Sequence, residues 1–165
     1  MALEIERKYL LKDQSWRGLA EGILYRQGYL NGQDGATLRV RICGEQAYLT
    51  IKGPTDNGCR LEYEYDIPRA DAEEMLNELA LSPIVEKIRH AIPFQGYIWE
   101  VDEFLGENSG LVVAEIELPD PEHTFPLPPW IGREVTADPR FYNSNLARNP
   151  FSRWPERSRV DSAGG

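Results

Sequence analysis

Along most of this chain, apolar residues alternate with charged ones. Charges fall at every second position of Glu4-Ile5-Glu6-Arg7-Lys8. Arg39 and Arg41 alternate with Leu38, Val40 and Ile42, and Glu62, Glu64 and Asp66 alternate with Leu61, Tyr63, Tyr65 and Ile67. The same period of two runs through Lys87-Ile88-Arg89, Trp99-Glu100-Val101-Asp102 and Ala114-Glu115-Ile116-Glu117-Leu118. A strand sends successive side chains to opposite faces. The pattern therefore predicts strands with one apolar and one charged face, over 3–11, 23–30, 37–42, 47–52, 60–67, 85–91, 96–103 and 111–118.

Turn chemistry joins them. Asn31-Gly32 and Gly44-Glu45 suit tight hairpins, and Gly53, Pro54 and Gly58 punctuate the next connection. Asp13 can cap a short helix through Leu19 and Ala20, stopped by Gly22. Asp71 and Glu74 form a capping box for a helix through Leu79, with Ala72, Met75, Leu76 and Leu79 on its apolar side. After Leu118, Pro119, Pro121, Pro126, Pro128 and Pro129 mark an irregular segment. Asp138-Pro139 then opens a last helix carrying Phe141, Tyr142, Leu146 and Ala147. Residues 153–165 read as a mobile tail, leaving 1–152 as one domain. Eight strands joined mostly by hairpins give an all-β dominated (α+β) fold: a closed eight-stranded antiparallel barrel with helices packed outside. Helices available to cover the apolar faces leave the charged faces to point inward.

Composition narrows the setting. A chain of 165 residues is long enough to bury its own core without a disulfide or metal to hold it. Cys43 and Cys59 make neither a disulfide framework nor a zinc set, which points to a reducing cytoplasm. The opening residues carry charges where a signal peptide needs an apolar core, and no apolar stretch is long enough to span a membrane. The net charge of −9 argues against a nucleic-acid surface, but not against a small polyphosphate met by concentrated cations. The tyrosines and tryptophans would suit a homodimer interface or the outside of the barrel equally.

The charged faces carry the candidate chemistry. Glu4 with Glu6, and Glu115 with Glu117, point one way about 7 Å apart along their strands, within reach of one hydrated cation. Asp102, with Glu100 behind it, is a further candidate ligand, and Glu62 and Glu64 form a second acidic lining. Such oxygens suit Mg²⁺ or Mn²⁺. For any single strand of this kind, a solvated outer face explains the pattern as well. Segregation of sign is harder to explain that way. Arg39, Arg41, Lys52, Lys87 and Arg89 gather cations on some strands while others carry acids, although cross-strand ion pairs on an exterior would also fit the pattern. Arginine binds phosphate oxygens through a planar fork, and lysine binds them as a point charge. His90 and His123 carry no partner motif, and the glycines form no phosphate loop.

The ordered set resembles a known family. Glu4-Ile5-Glu6-Arg7-Lys8 is similar to the ExExK signature of the CYTH superfamily, the triphosphate tunnel metalloenzymes. Arg39-Val40-Arg41, Lys52, Glu62 and Glu64, Lys87 and Arg89, Asp102, and Glu115 with Glu117 follow in the family's order, and Tyr142-Asn143 with Leu146-Ala147 resembles its closing helix. The resemblance implies a tunnel that hydrolyses triphosphate with a divalent metal. Glu4, Glu6, Asp102, Glu115 and Glu117 would hold metal, and Arg39, Arg41, Lys52, Lys87 and Arg89 would hold phosphates. Compact bacterial members that prefer inorganic triphosphate pair the motif lysine with a tyrosine, and Tyr29 stands in that position. The family's lysine near Tyr142 or Ser144 is missing, and Arg148 is the candidate to replace it. Lys8 would act as a neutral general base, oriented by Tyr29. Competing readings are a class IV-type adenylyl cyclase, a thiamine or nucleoside triphosphatase, a noncatalytic polyphosphate- or nucleotide-binding module, and a structural barrel with solvated charges.

Overall fold

The computed structural model describes residues 3–31, 35–81 and 83–155. It holds strands β1 (Leu3–Leu11), β2 (Gly22–Tyr29), β3 (Thr37–Cys43), β4 (Gln46–Lys52), β5 (Cys59–Asp66), β6 (Val85–Phe94), β7 (Tyr97–Phe104), β8 (Val112–Glu117) and β9 (Ile131–Glu134). Helix α1 spans Arg69–Glu78 and helix α2 spans Asn143–Arg148. The sheet runs β5-β4-β3-β2-β6-β7-β8-β1-β9, and β5 pairs with β1 to close the first eight strands into a barrel. Every pairing is antiparallel. The alternation thus predicts the architecture and all eight barrel strands.

Strand β1 closes the ring by dividing one edge between two partners. Leu3 to Ile5 pair with β5, while Tyr9 and Leu11 pair with β9. Between them, the Glu6 amide donates to the Gly58 carbonyl at 2.9 Å and the Lys8 amide to Thr136 Oγ1 at 3.0 Å. Gly58 has φ +85° and lies so close to the Glu6 carbonyl that a Cβ would collide with it, so only glycine fits the crossing.

Apolar faces point outward and are covered in two places. Val40, Ile42 and Ala47 pack under Ala72 and Leu76 of α1. On the opposite side, Ile5, Tyr9, Trp99, Val101 and Ile116 are covered by Trp16, Trp130 and Phe125. The inward face is not charged throughout. At one end Leu10, Tyr29, Val85, Phe104 and Val113 meet Phe141, Leu146, Phe151 and Trp154, so the C-terminal segment plugs the barrel with an apolar floor.

Local expectations fail where tertiary contacts decide the outcome. Residues 12–20 form turns rather than a helix: Asp13 binds the Ser15 amide at 2.9 Å, which closes a turn instead of capping a helix. Helix α1 starts at Arg69 behind Pro68 with no side-chain cap, so Asp71 sits in its first turn rather than at its cap. The proline-rich segment contains β9, which alternation over four residues was too short to signal. The last helix is broken. Residues 139–141 form a 3₁₀ turn capped by Asp138, Tyr142 is extended, and α2 follows. Trp154 is buried against Phe141 and Phe151, so ordered packing runs past residue 152, and a tail confined to 153–165 is corrected there. The rest of that tail, and Gly32 of the first turn, lie outside the described residues. No helix among the described residues is long and apolar enough to cross a membrane.

Candidate active site

The barrel interior holds a cavity of about 360 Å³. Its lining includes Glu4, Glu6, Lys8, Tyr29, Arg39, Arg41, Lys52, Glu62, Glu64, Lys87, Arg89, Glu100, Glu115 and Glu117. Strand order sorts the charges into two arcs. Lys52, Arg39, Arg41, Lys87 and Arg89 come from the consecutive neighbours β4, β3, β2 and β6, where β2 contributes only neutral groups. Glu100, Glu115, Glu117, Glu4, Glu6, Glu62 and Glu64 come from β7, β8, β1 and β5. Lys8 and Arg60 are the cations set within the acidic arc.

Most cations are paired. Lys87 Nζ lies 2.8 Å from Asp102, and Arg89 grips the same carboxylate through Nε at 2.7 Å and Nη2 at 2.8 Å. Arg89 also donates to Glu100 at 3.0 Å. Lys52 lies 3.2 Å from Glu4 and 3.0 Å from Glu62. Lys8 donates to the Phe141 carbonyl at 3.2 Å and lies 3.5 Å from Glu115. Arg39 and Arg41 differ. Both are buried, and neither has a carboxylate within ion-pair distance among the described residues. Arg39 Nε has no hydrogen-bond partner, and Arg41 has only the neutral Gln27. An isolated buried cation is costly, and no carboxylate among the described residues offsets that cost for this pair by an ion pair.

The electrostatics follow from this packing. Burial, then repulsion from Arg39 and Arg89, pulls Arg41 down to about 10. Burial pulls Lys87 down to about 7, against the opposing pull of Asp102. Burial alone would raise Asp102 and Glu115. The cations around them outweigh it and hold both below the usual carboxylate range. At Glu4, Glu6 and Glu117 the balance reverses. Burial, then repulsion from Glu115, pushes Glu6 up to about 7. Glu4 is raised by burial and a shared hydrogen bond with Glu62, and Glu117 by burial and then Glu4.

Residues 2–143 match the family described as the CYTH domain. The chain belongs to that family. It is 51% identical over 156 residues to an inorganic triphosphatase of Acetivibrio thermocellus, covering 94% of this chain and 100% of that protein. An inorganic triphosphatase of Nitrosomonas europaea is 37% identical over 150 residues, covering 87% of this chain and 96% of that protein. A crystal structure described as the inorganic triphosphatase NE1496 superposes with a TM-score of 0.64 at 33% identity, over 87% of this chain and 96% of the other.

In this CYTH domain the geometry departs from the sequence expectation at three residues. Asp102 does not line the cavity. It lies beneath it, 0% exposed, and spends both oxygens on Lys87 and Arg89, so it acts as their counter-ion and not as a free metal ligand. Tyr29 does not touch Lys8: its hydroxyl accepts from Gln27 Nε2 at 2.9 Å. Arg148 lies in an adjoining cavity, bound to Asn145, and does not replace the missing lysine of the closing helix. Sequence reasoning also passed over Tyr25 and Gln27, and it named Asn143 only as part of the closing helix. Tyr25 stands between two guanidiniums, 5.1 Å from Arg41 and 5.0 Å from Arg89. The period-two face Tyr25, Gln27, Tyr29 was there to find, but it carries no charge.

The remaining carboxylates fit a metal. Glu6 and Glu117 are direct cross-strand partners, and Glu4 and Glu115 line the same cavity. Burial, and then crowding by neighbouring carboxylates, raises the proton affinity of Glu4, Glu6 and Glu117, while Lys8 and Arg89 hold Glu115 below the usual carboxylate range. Hard oxygen donors suit Mg²⁺ or Mn²⁺. Among the described residues, no three such side chains converge as a preformed cage.

Proposed function

We propose that this chain hydrolyses inorganic triphosphate to diphosphate and phosphate with Mg²⁺ or Mn²⁺. The observation that carries this reading is the buried, carboxylate-free pair Arg39 and Arg41, facing an arc of crowded carboxylates across one cavity. A polyanion would satisfy the first, and a divalent cation held by the carboxylates would satisfy the second. The names of the relatives support the same substrate.

Arg39 and Arg41 offer forked donors to phosphate oxygens, with Lys52 and Arg89 adding charge from either side. These groups are in place before the substrate arrives, so charge that develops as the phosphoryl group transfers meets donors that need no reorganisation. Glu4, Glu6, Glu115 and Glu117 would hold the metal, which supplies polarisation of phosphoryl oxygens and of water. Lys8, on β1, is a cation set within the acidic arc and lines the same cavity. Both its partners, the Phe141 carbonyl and Glu115, accept hydrogen bonds. Lys8 is thus placed either to donate to a phosphate oxygen or to act as the general base on water.

The test is phosphate release from inorganic triphosphate, ATP and thiamine triphosphate, each with Mg²⁺, Mn²⁺ or chelator. Metal-dependent release from inorganic triphosphate well above the other two is the expected result. Preference for ATP or thiamine triphosphate would move the substrate, and no release from any would leave a binding module. Lys8→Ala alongside distinguishes its roles. If Lys8 is a donor, its loss raises KM and lowers kcat but leaves the acidic limb of the pH profile in place, whereas loss of a general base would remove that acidic limb.

A further inference from the structure

The best-connected neutral side chain around the cavity is Gln27. It is 0% exposed, on the strand between the two cationic strands β3 and β6. Its Oε1 accepts from Arg41 Nε at 2.9 Å. Its Nε2 donates to the Tyr29 hydroxyl at 2.9 Å and to Asn143 Oδ1 at 3.2 Å. Asn143 Oδ1 also accepts from Lys87 Nζ at 2.9 Å. One amide thus joins β2, β3 and the first residue of α2, and through Asn143 it reaches β6.

The direction of this network is forced. A guanidinium only donates, so Arg41 fixes which end of the Gln27 amide carries oxygen. The Gln27 amide nitrogen, which only donates, then fixes the oxygen of Asn143, and Lys87 Nζ donates to that same oxygen. Nε2 of Gln27 must then point at Tyr29 and Asn143. Two consequences reach the cavity. Arg41 has its Nε occupied, which leaves the two terminal nitrogens of its fork for an anion. The Tyr29 hydroxyl accepts from Gln27, which leaves its own proton for an acceptor in the cavity it lines.

We infer that Gln27 is a positioning residue for triphosphate hydrolysis, acting through Arg41 and Tyr29 rather than on the substrate. This rests on the triphosphatase reading above. A polar amide at a fully buried site needs such a purpose. Methionine, of similar length and volume, would fill the space with no hydrogen bond to orient and no polar atom to desolvate.

The test is a double-mutant cycle on kcat and KM for inorganic triphosphate, using the full chain with Mg²⁺ and the variants Gln27→Met, Arg41→Ala and the two combined, with unfolding midpoints alongside. A small displacement of an anchoring group costs about 10-fold or more. The expected result is a loss of about 10-fold or more from Gln27→Met in the wild-type background, but less than about 3-fold in the Arg41→Ala background, because groups acting as a unit are not additive. A side chain that only filled the core would cost the same factor in both. Equal factors, or Gln27→Met within about 2-fold of wild type, would overturn the inference and leave the triphosphatase reading standing. A wild-type chain inert toward triphosphate would overturn both. If Gln27→Met fails to fold, Asn143→Ala at the far end of the network carries the same cycle against Arg41→Ala with the same criteria.

Discussion

Two pairs of buried cations flank β2, whose inward face is neutral, and they are held in opposite ways. On one side Lys87 and Arg89 share the buried carboxylate of Asp102. On the other, Arg39 and Arg41 have only neutral partners, Thr50 at 3.3 Å and Gln27 at 2.9 Å. The sequence patterns of the two strands are nearly the same: two cations spaced by one apolar residue. What separates them is the neighbouring strand. β6 lies beside β7, which carries an aspartate opposite Arg89, while β3 lies between β2 and β4, which bring Gln27, Tyr48 and Thr50 opposite Arg41 and Arg39. A paired cation supports the fold; an unpaired one is available to a ligand.

The largest expected effect tests the paired side. Arg89→Leu leaves Asp102 with one of its two cations, and breaking a buried pair from one side costs about 3–5 kcal/mol. Denaturant unfolding should show that loss, and the further change Asp102→Leu should return part of it. Arg41→Ala comes next and should separate function from stability: kcat/KM for triphosphate falls about 100-fold, while the unfolding midpoint stays level or rises because a repelled buried charge is gone. Equal destabilisation by the two variants would erase the distinction between the pairs.

The acidic arc sharpens the comparison through pH. Glu6 binds its proton more tightly in the folded chain, at about 7, than at its ordinary 4.5. Between those values the folded state holds more protons than the unfolded one, so without metal, stability is lost as pH rises from about 4.5 through 7. Thermal unfolding in chelator should show this decline, Glu6→Gln should flatten it, and Mg²⁺ should reverse it in the wild type alone. The smallest effect is a surface control. Glu103 meets Arg17 at 2.7 Å on the partly exposed outside of the barrel, and Glu103→Gln should change stability by no more than about 0.5 kcal/mol.

Much of this was legible in the chain because alternation reports faces directly. Spacing placed Glu4, Arg39, Glu62, Arg89 and Glu115 each on the charged face of its strand, and the family resemblance gathered those faces into one tunnel. Pairing was not legible, since which carboxylate meets which cation depends on strand neighbours far apart in sequence. Hence Asp102 reads as a ligand but is a counter-ion, and Tyr29 reads as a partner of Lys8 but binds Gln27. Short or neutral signals were lost for a different reason. β9 has four residues and no period to display, and Gln27 has no charge to attract notice. Trp154 sat in a stretch with few apolar neighbours, and its partners Phe141 and Phe151 are brought to it only by the fold.

The most direct measurement is kcat/KM for inorganic triphosphate with Mg²⁺ in the wild type and in Arg39→Ala/Arg41→Ala, with unfolding midpoints recorded for both. If the unpaired arginines are the anion anchor, the double variant loses about 1000-fold or more at an unchanged or higher midpoint. A double variant that turns over triphosphate within a few-fold of wild type would contradict the account, because the substrate would then be held somewhere other than between the two arcs.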